Sequence, residues 1–132
     1  MKPLEIAIIV EPTAWHVPGW IDRLADRDDV TRAYLSDPTG ETESAAREAF
    51  GERLAGVFES PAALFQAARP DVAVVTLEPQ HTPAACEAAL DTGCHVLYEK
   101  PGAVHPEDLW RLADKARAVD RQLVCAFANR VA

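Results

Sequence analysis

Gly93-Cys94-His95-Val96-Leu97-Tyr98-Glu99-Lys100-Pro101 is the stretch from which the fold can be read. It follows an alanine-rich run of helical character, and Gly93 stands where a helix needs a residue tolerant of positive φ to end. His95 to Tyr98 is short, mostly apolar and partly β-branched, which predicts an interior strand of a parallel sheet. Glu99 and Lys100 then fall at the strand's carboxyl end, the edge where open α/β sheets bind ligands. Pro101 keeps Lys100 out of the α region, so the lysine does not simply open a helix. Held there by backbone geometry, Lys100 is a candidate for chemistry, although spacing alone favours a solvated Glu/Lys pair.

Outward from this stretch, strand-like and helix-like runs alternate to both ends. Leu4 to Val10, Val30 to Ser36, Leu54 to Phe58, Val72 to Leu77 and Leu123 to Ala128 read as further strands. Pro18 to Arg27 and Glu43 to Arg53 carry apolar residues at helical spacing. Ser60-Pro61 and Thr82-Pro83 each pair a hydroxyl N-cap with a proline suited to the first helical position. His105-Pro106-Glu107-Asp108 opens a last helix, with Leu109, Leu112, Ala113, Ala116 and Val119 as its buried stripe. Six strands interleaved with five helices require right-handed crossovers and a sheet covered on both faces. The expected fold is α/β, a doubly wound parallel sheet in strand order 3-2-1-4-5-6, as one three-layer domain.

The 132 residues suffice for one domain with a real core, and 48% hydrophobic with 26% charged residues is ordinary globular composition. Thirteen basic against 21 acidic residues leave a net charge of −8, and the basic residues form no run. Nucleic acid and anionic membrane are therefore not expected as partners. Cys86, Cys94 and Cys125 show no C-x-x-C spacing and read as reduced thiols, and no zinc set is expected from them with the four histidines. Met1-Lys2-Pro3-Leu4 leads straight into a strand-like run, with no signal peptide or spanning segment in prospect. A cytoplasmic location is the expectation.

Ala89 to Pro101, Ala-Leu-Asp-Thr-Gly-Cys-His-Val-Leu-Tyr-Glu-Lys-Pro, resembles the signature of the Gfo/Idh/MocA oxidoreductase family. Members carry an Ala-Gly-Lys-His-Val-Leu-x-Glu-Lys-Pro type of run, and Gly93, His95, Val96, Leu97, Glu99, Lys100 and Pro101 fall in register with it. More weakly, the whole chain is similar to that family's amino-terminal, Rossmann-like dinucleotide-binding domain. The resemblance implies an NAD(P)-dependent oxidoreductase acting on a sugar, polyol or related hydroxyl compound. Lys100 then takes the catalytic role beside the nicotinamide, Glu99 orients it, and the Lys100–Pro101 bond is a candidate for cis geometry. Arg130 matches an arginine that follows the last strand in the family. The resemblance also implies a second domain supplying substrate contacts. Residues 1–132 are expected to be the cofactor domain alone, inactive in isolation. A homo-oligomer is left open, because the family's subunit contacts lean on that second domain.

Two positions bear on the cofactor. In register with the G-x-G-x-x-G fingerprint stand Val10, Pro12 and Trp15. Pro12 has no N–H, Trp15 bars close backbone approach, and Glu11 adds an anion beside any pyrophosphate. The loop thus speaks against ordinary tight NAD binding without removing NAD as the cofactor the resemblance implies, and Thr13 and Ala14 are the remaining amide candidates. Asp37 ends the second strand, where a carboxylate accepts ribose hydroxyls and repels a 2′-phosphate, which favours NAD over NADP. A turn aspartate bonded to its own backbone before Pro38 fits the sequence equally well. After the fourth strand, the family's Thr-Pro and histidine are replaced by Leu77-Glu78 and Thr82. His81 lies close by and reads as a solvent-facing loop residue. Two rivals stay open: a degenerate module that binds no dinucleotide and works through protein contacts, and a site for a smaller nucleotide or phosphate-free ligand.

Overall fold

The computed structural model describes residues 2–14 and 16–126. Six strands form one sheet: β1 (Leu4–Val10), β2 (Val30–Ser36), β3 (Leu54–Phe58), β4 (Val72–Thr76), β5 (His95–Glu99) and β6 (Leu123–Ala126). Every pairing is parallel and the order is β3-β2-β1-β4-β5-β6, as the alternation predicts. Between the strands run α1 (Val17–Ala25), α2 (Glu43–Phe50), α3 (Pro61–Ala67), α4 (Thr82–Thr92) and α5 (Pro106–Ala118).

Chirality explains the layers. Right-handed crossovers set α1 and α2 on one face as the chain steps from β1 through β2 to β3, and α3, α4 and α5 on the other once it crosses to β4. The period of two then divides the strands between two cores. Ile6, Ile8 and Val10 pack with Ile21, Ala46 and Phe50, while Ala7 and Ile9 pack with Leu64, Ala89, Leu90 and Leu112. β1 and β4 lie at the centre, so Ile6 to Val10 and Ala73 to Thr76 are at most 2% exposed. Such strands must be apolar on both faces, which is why they read as continuous hydrophobic runs.

Element ends follow local chemistry. Ser60 caps α3 as expected, its Oγ accepting the Ala63 N–H at 3.1 Å, with Pro61 in the first turn. Gly93 ends α4 at φ 97°, where the Cys94 N–H reaches back to the Ala89 carbonyl at 3.0 Å. Thr82 departs from expectation. It is the first helical residue rather than the cap, and its hydroxyl donates to the Leu77 and Glu78 carbonyls at 3.2 and 3.0 Å. α2 is shorter than its pattern, ending at Phe50 before a 3-10 turn over Gly51–Arg53. There Arg53 donates to the Ala25 and Val30 carbonyls at 2.8 and 3.1 Å, a tie invisible to periodicity. In α5, Leu112 and Ala116 are buried, but Val119 stands at the helix end, 39% exposed, and leaves the predicted stripe. β4 stops at Thr76, one residue early, and the last two residues expected in β6 lie outside the described residues.

Candidate functional site

β1 leads to β2 on one side and β4 leads to β5 on the other, so the crevice above their carboxyl ends is the topological switch point of the sheet. Lys100 sits at its rim in the turn after β5, exposed, and the Lys100–Pro101 bond is cis. Gly102 completes this turn at φ 84°, and a Cβ there would lie 2.2 Å from Tyr98 Cε2. Only glycine meets both demands. The cleft beneath Lys100 has a volume of about 200 Å³, and Ala14, His16, Glu78, Pro79 and Glu99 share its walls. Lys100 thus lines the cleft beside the ends of β1 and β4.

Glu99 does not serve that lysine directly. Its Oε1 accepts the Trp20 indole N–H at 2.8 Å and lies 3.2 Å from His16 Nδ1, with the side chain 13% exposed. Its Oε1 is thus held at α1, and no hydrogen bond or ion pair joins this carboxylate to Lys100 among the described residues, in place of the expected orienting contact. His16 takes a left-handed backbone conformation (φ 67°) ahead of α1, uncommon for a residue other than glycine. Sequence spacing carried no signal of a pairing across so many intervening residues.

At the first turn, the Ala14 N–H donates to the Glu11 carbonyl at 3.0 Å, so the amide expected to face a ligand is spent within the turn. The Glu11 carboxylate accepts the Glu78 N–H, and its Oε2 lies 3.0 Å from His81 Nδ1. Those bonds lace β1 to the β4–α4 loop across the crevice. His81, read from sequence as a loop histidine, is half-exposed yet turned inward to this carboxylate. For a dinucleotide, the first turn of α1 leaves the Val17 and Gly19 N–H groups as pyrophosphate donors, Pro18 having none, while the Glu11 carboxylate is an unfavourable charge close by. Trp15 and Arg130, both singled out in the sequence, lie outside the described residues.

Asp37 is 4% exposed and bonded to its own turn. Its Oδ2 accepts the Thr42 N–H at 2.7 Å, and Oδ1 accepts the Thr39 N–H at 3.2 Å. Of the two sequence readings, the turn aspartate is the one the geometry displays. Beside it opens a second cavity of about 440 Å³ between the β2 end and α4, lined by Ser36 and Pro38 rather than Asp37.

A family model described as an oxidoreductase family with an NAD-binding Rossmann fold matches residues 16–127. The chain belongs to the Gfo/Idh/MocA oxidoreductase family. It is 32% identical over 106 residues to the D-glucoside 3-dehydrogenase of Escherichia coli (strain K12), covering 80% of this chain and 30% of that one. The fold superposes with a TM-score of 0.78 on an oxidoreductase from Agrobacterium radiobacter solved with NAD+, L-tartaric acid and magnesium, at 19% identity. That match covers 98% of this chain and 36% of the other. Apo scyllo-inositol dehydrogenase from Lactobacillus casei gives the same TM-score, also at 19% identity, covering 99% and 38%. The chain thus spans about a third of the length of these relatives.

Two of the three thiols, Cys86 and Cys94, are buried. Burial pushes Cys86 up to about 12, and burial, then the nearby Asp71 charge, does the same to Cys94. Both stay protonated at neutral pH, and no cluster able to hold a metal ion occurs among the described residues. No helix among them is long and apolar enough to cross a membrane. The crevice gathers one amine, three carboxylates and two imidazoles around the ends of β1, β4 and β5.

Proposed function

We propose that this chain is the cofactor domain of an NAD(P)-dependent oxidoreductase acting on a sugar, polyol or similar hydroxyl compound, with Lys100 as its catalytic residue. The observation that carries the reading is the position of Lys100 in the cleft above the ends of β1 and β4. An ammonium held there polarises a carbonyl oxygen in one direction and relays the hydroxyl proton in the other. A bound dinucleotide supplies the hydride acceptor or donor. Thr13 and the amino end of α1 would hold its phosphates, while Glu99, Lys100 and Pro101 border the reacting end. The sugar or polyol class rests on the named relatives, a D-glucoside 3-dehydrogenase and a scyllo-inositol dehydrogenase. NAD is the expected cofactor, since no Lys or Arg among the described residues lines the cavity at the β2 end to receive a 2′-phosphate.

A second reading has an observation of its own. Glu11, bonded to the Glu78 N–H and facing His81, stands where a pyrophosphate would need donors, which favours a degenerate module without dinucleotide. Titration calorimetry with NADH and NADPH separates the two. A dissociation constant below about 0.1 mM, roughly −5.5 kcal/mol, supports the first reading. Absence of heat with both cofactors selects the second. In a complete enzyme, Lys100→Met is expected to abolish turnover and leave cofactor affinity intact. Equal losses of binding and rate would remove Lys100 from the catalytic role.

A further inference from the structure

Ser36 ends β2 fully buried, and its Oγ is the one buried side-chain polar atom among the described residues with no hydrogen-bond partner. A hydroxyl left this way costs stability unless something completes it. Ser36 lines the cavity of about 440 Å³ between the β2 end and α4, a volume within the range of about 300–1,000 Å³ typical of small-molecule sites. One wall is Ala84, Ala85 and Ala88 of α4, small and apolar, a slot suited to a flat ring. Glu11 and Glu59 line it together with His81, and no Lys or Arg among the described residues does so. Asp37, one of whose two sequence readings is a ribose ligand, accepts the Thr39 and Thr42 amides and does not line the cavity.

We propose that Ser36 and Glu59, rather than Asp37, read the hydroxyls of a nucleoside seated in this cavity, and that Glu59 sets the preference for an unphosphorylated ribose. The proposal rests on the reading that the crevice takes a dinucleotide, and it deepens that reading by assigning selectivity to two residues of this chain. Glu59 follows β3, whose Phe58 carbonyl accepts the Asp37 N–H at 2.9 Å, and it lines the cavity beside the β2 turn. A carboxylate there accepts a hydroxyl and repels a phosphate. The Ser36 hydroxyl both donates and accepts, so a sugar hydroxyl or ring nitrogen would complete it.

The test measures NADH and NADPH affinity by calorimetry for the wild-type chain, Ser36→Ala, Glu59→Arg and Asp37→Asn, with adenosine followed separately by ligand-observed NMR. Ser36→Ala is expected to weaken both cofactors about fivefold, the worth of one net hydrogen bond. Glu59→Arg is expected to move the NADH-to-NADPH ratio at least about tenfold toward NADPH, and Asp37→Asn to leave that ratio unchanged. A ratio that ignores Glu59→Arg and shifts with Asp37→Asn overturns the proposal while leaving the dinucleotide reading intact. If neither cofactor binds but adenosine does, and Ser36→Ala abolishes it, the dinucleotide reading fails and the hydroxyl-reading role of Ser36 stands. No binding of NADH, NADPH or adenosine overturns the assignment outright.

Discussion

Replacing Gly102 by alanine probes the turn that carries Lys100 with a magnitude that can be worked out beforehand. At φ 84° an L-residue pays about 1–2 kcal/mol for the left-handed backbone. The new Cβ would also stand 2.2 Å from Tyr98 Cε2 and 2.7 Å from Cδ2, too close for either atom to stay in place. Tyr98 packs against the core formed with α4 and α5, so its ring cannot swing aside freely, and overpacking of this kind costs about 1–3 kcal/mol. The expected loss is about 2–5 kcal/mol, a large share of the 5–15 kcal/mol typical of a domain. Urea denaturation followed by circular dichroism measures it. Tyr98→Val removes the ring atoms, so in that background Gly102→Ala should cost only the backbone portion, about 1–2 kcal/mol. A cost under about 0.5 kcal/mol, or one identical in both backgrounds, would show that the steric argument is wrong.

Three further outcomes follow from the same structure. Ser60→Ala should lower stability by about 1 kcal/mol through loss of the α3 cap, and an unchanged urea midpoint would mean the cap is replaced by solvent. Asp37→Ala should destabilise by about 1–3 kcal/mol, because the Thr39 and Thr42 amides lose their acceptor; full stability with weakened NADH binding would restore the ribose role. Raised thiol values mean that Cys86 and Cys94 stabilise the fold below the ordinary thiol value of 9.0, an advantage lost as pH rises from there toward about 12. By pH 10 each thiol should cost on the order of 1 kcal/mol, so the Cys86→Ala, Cys94→Ala double variant should lose less stability between pH 8 and 10 than the parent. Equal losses would remove these thiols from the account.

The sequence by itself determined the architecture. β1 and β4 are buried on both faces and had to be continuous apolar runs. Gly93 had to close α4, and Ser60-Pro61 had to open α3. Those constraints are local, so they are written in neighbouring residues, and crossover handedness then leaves a handful of strand orders, of which the doubly wound 3-2-1-4-5-6 is the one observed. Lys100 was legible for the same reason, placed by the strand before it and the proline after it. The partners of the carboxylates were not. Glu99 meets Trp20 and His16 across separations of 79 and 83 residues, and Glu11 meets Glu78 across 67. A carboxylate takes whichever donors the folded chain brings within about 3 Å, and residue spacing does not encode that choice. Asp37 shows the converse: its donors lie two and five residues onward, yet only the folded turn decided between them and a ligand. Tertiary structure alone decided which acids guard the crevice, because side-chain acceptors are allotted by proximity after the backbone has been laid down.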